Sequence, residues 1–398
     1  MSLRAPTRAG RATAPLGLRP LARLLVDAAA GRPHDAPDEL FAEDLGRVLA
    51  AGVLHRVTPA MARSLAAADA PDPWLAGLGA ARHAQTLRHL RAVEDLKVTG
   101  AALDAAGIPW AVAKGPVLAS VVWPSPDMRE YYDLDLFVDA ARFEEAIRVV
   151  LSTGGEQLDR NWPELRRSMR AEIAMTARHG THLDLHWHVA VPERLRRQFP
   201  VDMAGMLRRA RPVTIAPGVT MPTFDPVDTV HHVAFHAAQD GANRLMWLAD
   251  VRYAVQDPGF DWDELARRAA AARTTVPVAL VLDRAVRTVG LELPHGTSFD
   301  RARRGAWGSL ARRRDRDHPF PGLPGDDRLG GNVYGAARPG TAASAACLLA
   351  YTLRARRVGR QHRARGTDGS PERPLQRDVA DVTARAEYFA RLAPGPGG

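Results

Sequence analysis

Residues 133–138 read Asp-Leu-Asp-Leu-Phe-Val, and this hexapeptide sets the fold. An apolar run of that length predicts a buried strand, so Asp133 and Asp135 leave one face while Leu134, Leu136 and Val138 leave the other. The two acidic Cα atoms are expected about 6–7 Å apart, within reach of a common ion. Carboxylates held this way in a partly dry site repel each other. A divalent cation removes that cost, and all-oxygen ligation suits Mg²⁺ or Mn²⁺. The competing reading is a purely structural pair. Two further Asp-x-Asp matches serve as internal comparisons. Asp261/Asp263 precedes Glu264-Leu265 at a helix start, where carboxylates favour the positive dipole end. Asp315/Asp317 is embedded in arginines and reads as a solvated loop.

Upstream, Trp110 to Ala113 predicts a short buried strand that Lys114-Gly115-Pro116 turns into a helix over 117–122. Only two of the 54 basic residues are lysines, Lys97 and Lys114. Lys97 falls on a helix and reads as a solvated side chain. Lys114 falls where glycine lets the backbone approach a phosphate and a helix N-terminus offers unpaired N–H groups. Arg129, four residues before Asp133, reads either as a phosphate contact or as the partner of Glu130 or Asp127.

Downstream, a helix is expected over 140–152, stopped by Gly154-Gly155, and a short helix over 162–169. Strands follow over 171–177 and 182–189, with His179-Gly180-Thr181 as a hairpin turn. In the second of these, His182, Asp184, His186 and His188 share one face, and Leu183, Leu185, Trp187 and Val189 the other. Asp184, on a strand beside the Asp133 strand, would complete a three-carboxylate site. Three same-face imidazoles would alternatively suit Zn²⁺. A solvated face is the simpler reading for His182 and His188, and His186 is a phosphate or substrate contact. Strand–helix–strand–helix–strand pair predicts an α+β fold, a mixed sheet covered by helices.

On either side the pattern is helical: 19–106, broken by Pro71-Asp72-Pro73, and 226–291. In the latter, Asp228, His232, His236 and Asp240 follow i, i+4 spacing, with His231 adjacent. There is no His-Glu-x-x-His, so packing against the core or lining a pocket is preferred to a metal site, and Met246, Trp247 and Leu248 read as core. The expected organisation is a disordered basic arm (1–18), an N-terminal helical region (19–89), a core (90–215), a helical domain (216–300), a basic Pro/Gly-rich linker (301–340), and a C-terminal helix with a partly disordered tail (341–398).

The net charge of +9 is unevenly spread. Residues 1–24 (+5), 301–318 (+5) and 354–366 (+6) leave −7 for the remainder. Basic tails allow a nucleic-acid partner, whereas the acidic body disfavours a long nucleic-acid track. One cysteine, Cys347, excludes a disulfide framework and a multi-cysteine zinc site. The first residues lack an apolar secretory core, and the most apolar run, 342–353, is too short to span a bilayer. The expectation is a cytoplasmic protein without a membrane partner.

The ordered set Lys114-Gly115, Arg129, Asp133-Leu-Asp135, Leu183-Asp-Leu-His-Trp187 and Arg244-Leu-Met-Trp-Leu-Ala-Asp250 resembles the uncharacterised nucleotidyltransferase family of the DNA polymerase β-like superfamily, over roughly residues 90–260. The resemblance implies a polymerase β-like mixed sheet and metal-dependent transfer of a nucleoside monophosphate from an NTP, with pyrophosphate release. Residue by residue, it implies that Asp133, Asp135 and Asp184 hold Mg²⁺ or Mn²⁺, with Asp184 helping to deprotonate the acceptor, and that Lys114 and Gly115 hold the triphosphate. Lys-Gly stands where the superfamily usually has Gly-Ser, and the stretch from Gly115 to Asp133 implies a longer loop around 123–127. The acceptor is left open between a small molecule, a peptide or protein side chain and an RNA end. The alternatives are a non-catalytic nucleotide- or partner-binding module of the same fold, or a hydrolase built on His182, Asp184 and His186.

Overall fold

The computed structural model describes residues 20–35, 37–294, 296–317, 329–365 and 374–392. The expected basic arm over 1–18 lies outside them. Among the described residues, no helix is long and apolar enough to cross a membrane.

The fold is α+β. Its centre is a five-stranded mixed sheet in the order β1-β2-β5-β4-β3, formed by β1 (Trp110–Val112), β2 (Asp133–Val138), β3 (Glu156–Gln157), β4 (Glu172–Thr176) and β5 (His182–His186). Strand β2 runs antiparallel to β1 and parallel to β5. β4 pairs antiparallel with both β5 and β3. The strand expected over 182–189 therefore stops three residues early. His188 lies beyond it, with Nδ1 accepting the Ala190 N–H at 2.9 Å, so it belongs to a loop and not to a solvated sheet face.

The two faces of the sheet enter separate apolar clusters. Leu134, Leu136 and Val138 pack with Leu183, Leu185 and Ile173 against Ala92, Leu96 and Leu103 of the Asp72–Ala105 helix and against Phe143, Ile147 and Val150 of the Phe143–Ser152 helix. The long helix starts at the Pro71-Asp72-Pro73 break and ends where Gly107 takes a φ of +61° ahead of Pro109. Its buried Asp95 accepts hydrogen bonds from the backbone N–H groups of His179 (2.8 Å) and Thr181 (3.2 Å). That clamps the β4–β5 turn, in which Gly180 has a φ of +84°.

The opposite face carries Asp133, Asp135 and Phe137. Phe137 joins a larger cluster built from the Pro20–Ala30 helix and the helices Pro226–Gln239, Leu245–Ala254 and Thr275–Val289. Beside β1 lies a hairpin absent from the sequence reading: β6 (Arg211–Ala216) and β7 (Val219–Thr223), turning at Gly218, with Ile215 and Met221 buried in the first cluster. The division drawn at 215/216 cuts this hairpin. Thr223 Oγ1 donates to the Val112 carbonyl at 2.7 Å, so the hairpin is tied to β1.

Two further expectations are corrected at the C-terminal end. The stretch beginning at 301 is not a linker up to Asp317: helices Phe299–Arg304 and Ala306–Asp317 bury Phe299, Trp307 and Ala311. Asp315 is not in a solvated loop but buried, accepting from Arg287 and from the Tyr334 hydroxyl, both at 2.6 Å. In the expected tail, the Val382–Ala390 helix packs onto the sheet core. There the Tyr388 hydroxyl donates to the Arg170 carbonyl (2.6 Å) and accepts from Trp187 Nε1 (3.0 Å).

Candidate active site

The carboxylate face of the sheet opens onto a cavity of about 390 Å³ beneath the Pro226–Gln239 and Leu245–Ala254 helices. Register decides who meets whom. Asp135 is directly paired with Asp184 across the parallel β2–β5 ladder, and Asp133 with His182. His186 lies one pleat further, opposite Glu172 of β4. Ligand atoms of Asp135, Asp184 and His186 lie within 4.8 Å of one another. Asp133 lines the same cavity but falls outside that cluster. The expected Asp133/Asp135/Asp184 set is thus present on one face, with the tightest convergence at Asp135, Asp184 and His186.

The Lys-Gly turn comes in from β1. Gly115 has a φ of +51°, and a Cβ there would stand 3.1 Å from the Asp133 carbonyl, so glycine is required both for the turn and for its approach to β2. The turn presents Lys114 Nζ to Asp135 Oδ1 at 3.1 Å. His186 Nε2 reaches the same oxygen at 3.2 Å while its ring stacks on Phe137, with centroids 4.6 Å apart. Burial opposes ionisation of Asp135, yet the Lys114 ammonium and the His186 hydrogen bond hold its carboxyl well below the usual range. Burial likewise opposes the charge on Lys114, but Asp135 and Asp133 keep its pKa above normal.

Asp184 behaves oppositely. Burial first, then the negative charges of Glu172, Asp135 and Asp133, push its carboxyl up to about 8. His182 Nε2 stands 3.4 Å from its Oδ1 and is itself part-exposed. Several carboxylates therefore share a small space and one retains a proton near neutrality, which is the repulsion a divalent cation relieves. His186 Nδ1 is buried without a hydrogen-bond partner. The donor set of Asp135, Asp184 and His186, with Asp133 beside it, fits a cation with mixed oxygen and nitrogen ligands. The His182/His186/His188 zinc grouping does not form, because His188 has left the sheet.

Arg129 does not pair with Glu130 or Asp127. It is buried, and its Nε and Nη2 donate to the two carboxylate oxygens of Asp250, each at 2.8 Å. Trp123 Nε1 donates to the same Asp250 at 2.7 Å, so the loop around 123–127 is pinned to the Leu245–Ala254 helix. Arg129 Nη1 also lies 3.4 Å from the Gly115 carbonyl. Its guanidinium thus braces the turn that carries Lys114 and is already engaged by a carboxylate.

His231 turns away from the cavity, its Nε2 2.6 Å from Thr274 Oγ1. His232 and His236 line it. His232 lies edge-on to Phe137, with centroids 5.3 Å apart and both ring nitrogens unpartnered; burial and the nearby Lys114 hold it well below its ordinary pKa. The i, i+4 set does not act together: Asp228 pairs with Arg209 (2.9 Å) and Arg268 (2.8 Å), and Asp240 with His236 (3.4 Å). Met246 and Trp247, read as core, are buried but also line the cavity.

The sequence reading missed four contributors. Glu172 is one, ion-paired with Arg170 and 3.6 Å from His186 Nδ1; strand alternation marked its face, but nothing gave its register. Arg56 lines the cavity from a helical region that carries no local signal, and Arg244 lines it from the head of the quoted Arg244–Asp250 motif, which marked the stretch but not this role. Asp250 closed the quoted Arg244–Asp250 motif without any sign of its partner. Residues 42–290 match a family model described as uncharacterised nucleotidyltransferase, which is more than half of the chain. No curated protein matches.

Proposed function

The chain belongs to the uncharacterised nucleotidyltransferase family, and from this membership together with the site geometry we propose that it transfers a nucleoside monophosphate from an NTP to an acceptor hydroxyl, releasing pyrophosphate. The supporting observation is the meeting of Asp135 and Asp184 across β2 and β5 with Lys114 of the glycine turn 3.1 Å from Asp135. Asp135, Asp184 and His186, with Asp133 adjacent, would hold a divalent ion, Mg²⁺ or Mn²⁺. When bound, it would supply charge neutralisation for the phosphates and for the attacking oxygen.

Lys114 moves from Asp135 onto the triphosphate, exchanging one anionic partner for another, while the Gly115 turn lets backbone approach the phosphates. Arg129 positions that turn through Asp250. Asp184, the carboxylate that faces Asp135 in the cavity, accepts the acceptor proton in its ionised state. The acceptor oxygen bonds to the α-phosphorus as its bond to the β-bridging oxygen breaks, and pyrophosphate leaves. His232, neutral and unpartnered, and Trp247 shape the wall that keeps water from competing.

The test is incubation with each labelled NTP and Mg²⁺ or Mn²⁺, scoring pyrophosphate release and label transfer. Asp135→Asn and Asp184→Asn are expected to lower turnover about 10²–10³-fold, in line with loss of electrostatic stabilisation, and Asp133→Ala to lower it as well. Turnover that survives Asp135→Asn would exclude this mechanism. One observation favours a second reading: Asp135 is already neutralised by both Lys114 and His186, which suits a nucleotide-binding module without turnover. Nucleotide binding with no pyrophosphate released across all four NTPs and a broad acceptor set would select it.

A further inference from the structure

A second cavity, about 660 Å³, lies against the Thr341–Arg365 helix. Arg194, Arg197, Arg273 and Arg338 line it, on a wall of small apolar side chains from that helix. Among the described residues, Arg194, Arg273 and Arg338 have no carboxylate partner, Arg197 pairs with the neighbouring Glu193 at 2.7 Å, and Arg129, Arg268 and Arg287 elsewhere each have a carboxylate. Arg338 is the telling case. It is 95% buried, its Nη1 donates to the Gly335 and Ala337 carbonyls, its guanidinium lies 5.6 Å from the Phe199 ring centroid, and its Nε has no hydrogen-bond partner. A buried guanidinium without a counter-charge costs free energy unless an anion completes the site.

The cavity adjoins the carboxylate cavity, with Arg194 and Tyr351 lining both. Tyr351 is only partly buried, with the Arg194 guanidinium 5.9 Å from its ring centroid. Unneutralised cations along an apolar wall, with an aromatic ring at the inner end, are the two elements by which proteins hold single-stranded nucleic acid: phosphates on arginine and a base on the ring. The helix that forms the wall runs on through a sequence with six arginines and no acid over 354–365.

We propose that this cavity receives the end of a single-stranded nucleic acid and delivers its terminal hydroxyl to the carboxylate cavity. The proposal rests on the transferase reading for the delivery step, but not for the binding itself. In that step the terminal oxygen bonds to the α-phosphorus, its proton passes to Asp184 and pyrophosphate departs.

The experiment measures fluorescence anisotropy of end-labelled 12-nucleotide RNA and DNA strands with the full chain, without NTP or metal, across a salt series. Arg197→Glu/Arg273→Glu is the test variant; neither residue lines the carboxylate cavity, and both are exposed. Affinity is expected to fall at least tenfold, and the slope of log K against log salt to become shallower by about 1.4, two single-strand phosphate contacts' worth. Tyr351→Ala is expected to weaken binding several-fold with the slope unchanged. Asp135→Asn is expected to bind the strand normally. RNA and DNA strands compared side by side identify the sugar. Equal binding by wild type and Arg197→Glu/Arg273→Glu would overturn the proposal, as would equal displacement by a poly-glutamate peptide of matched charge. Variant-sensitive binding in a chain that transfers no nucleotide to the strand would uphold the binding site and overturn the delivery step.

Discussion

Asp250 carries three donated hydrogen bonds, from Trp123 and from two nitrogens of Arg129, and all three residues are buried. Burial opposes the charge on Arg129, but Asp250 raises its pKa. Asp250→Asn leaves a guanidinium without its counter-charge and is expected to cost about 3–5 kcal/mol, read by urea denaturation. Arg129→Met/Asp250→Leu, which removes both charges, is expected to recover most of that loss without restoring nucleotide binding, because the Lys114 turn loses its brace. A second residue-scale effect concerns acid. Burial, then Arg268 and Arg209, push His231 down to about 4. The unfolded imidazole takes up its proton near pH 6.5, so the stability His231 supports is intact above that pH and is lost as pH falls towards 4. The loss amounts to about 3 kcal/mol. His231→Gln is expected to flatten the acid limb of melting temperature against pH between 6.5 and 4; an unchanged limb would assign the acid sensitivity to other groups.

Among the elements, the β4–β5 hairpin carries Glu172, Asp184 and His186 and is clamped from behind by Asp95 of the long helix. Asp95→Ala strands two backbone N–H groups and is expected to cost about 2–3 kcal/mol. It should also weaken Mn²⁺ binding, measured by calorimetry, because the clamp holds β5 in place against β2, where Asp184 meets Asp135. The glycine turn is the other sensitive element. Gly115→Ala places a Cβ against the Asp133 carbonyl at a φ of +51°. The expected outcome is a cost of about 1–2 kcal/mol and a larger proportional loss of NTP affinity, since the turn must move away from β2. An alanine variant with unaltered NTP affinity would show that the turn does not touch the phosphates.

For the whole molecule, the family match over 42–290 does not coincide with a self-sufficient core. Leu21, Leu24 and Leu25 of the Pro20–Ala30 helix are buried in the cluster that includes the Leu245–Ala254 helix, each contributing about 1.5–3 kcal/mol by burial. Tyr388, after the match, bridges Trp187 and the Arg170 carbonyl beside β4 and β5. A fragment of 42–290 is therefore expected to melt well below the chain spanning 20–392, or to aggregate. Equal melting temperatures would mean that the flanking helices are accessory.

The strands β1, β2 and β5, the glycine turn and the helical flanks were legible because each rests on short-range rules: alternation of apolar and acidic residues, a Gly-Pro helix start, and breaks at proline. Asp133, Asp135 and Asp184 could be put on one face for the same reason, since side chains alternate with a period of two. Which carboxylate meets which was not legible, because register between strands some fifty residues apart depends on packing of the whole sheet. The same applies to Glu172, to the Arg129–Asp250 pair, and to Asp315, which local charge marked as solvated and distant arginines made buried. Sequence alone determined the central strands β1, β2, β4 and β5, the helices beside them and the faces of the chemical groups they carry. Only the tertiary structure decided the partners, because a buried charge is settled by whichever opposite charge the folded chain brings to it.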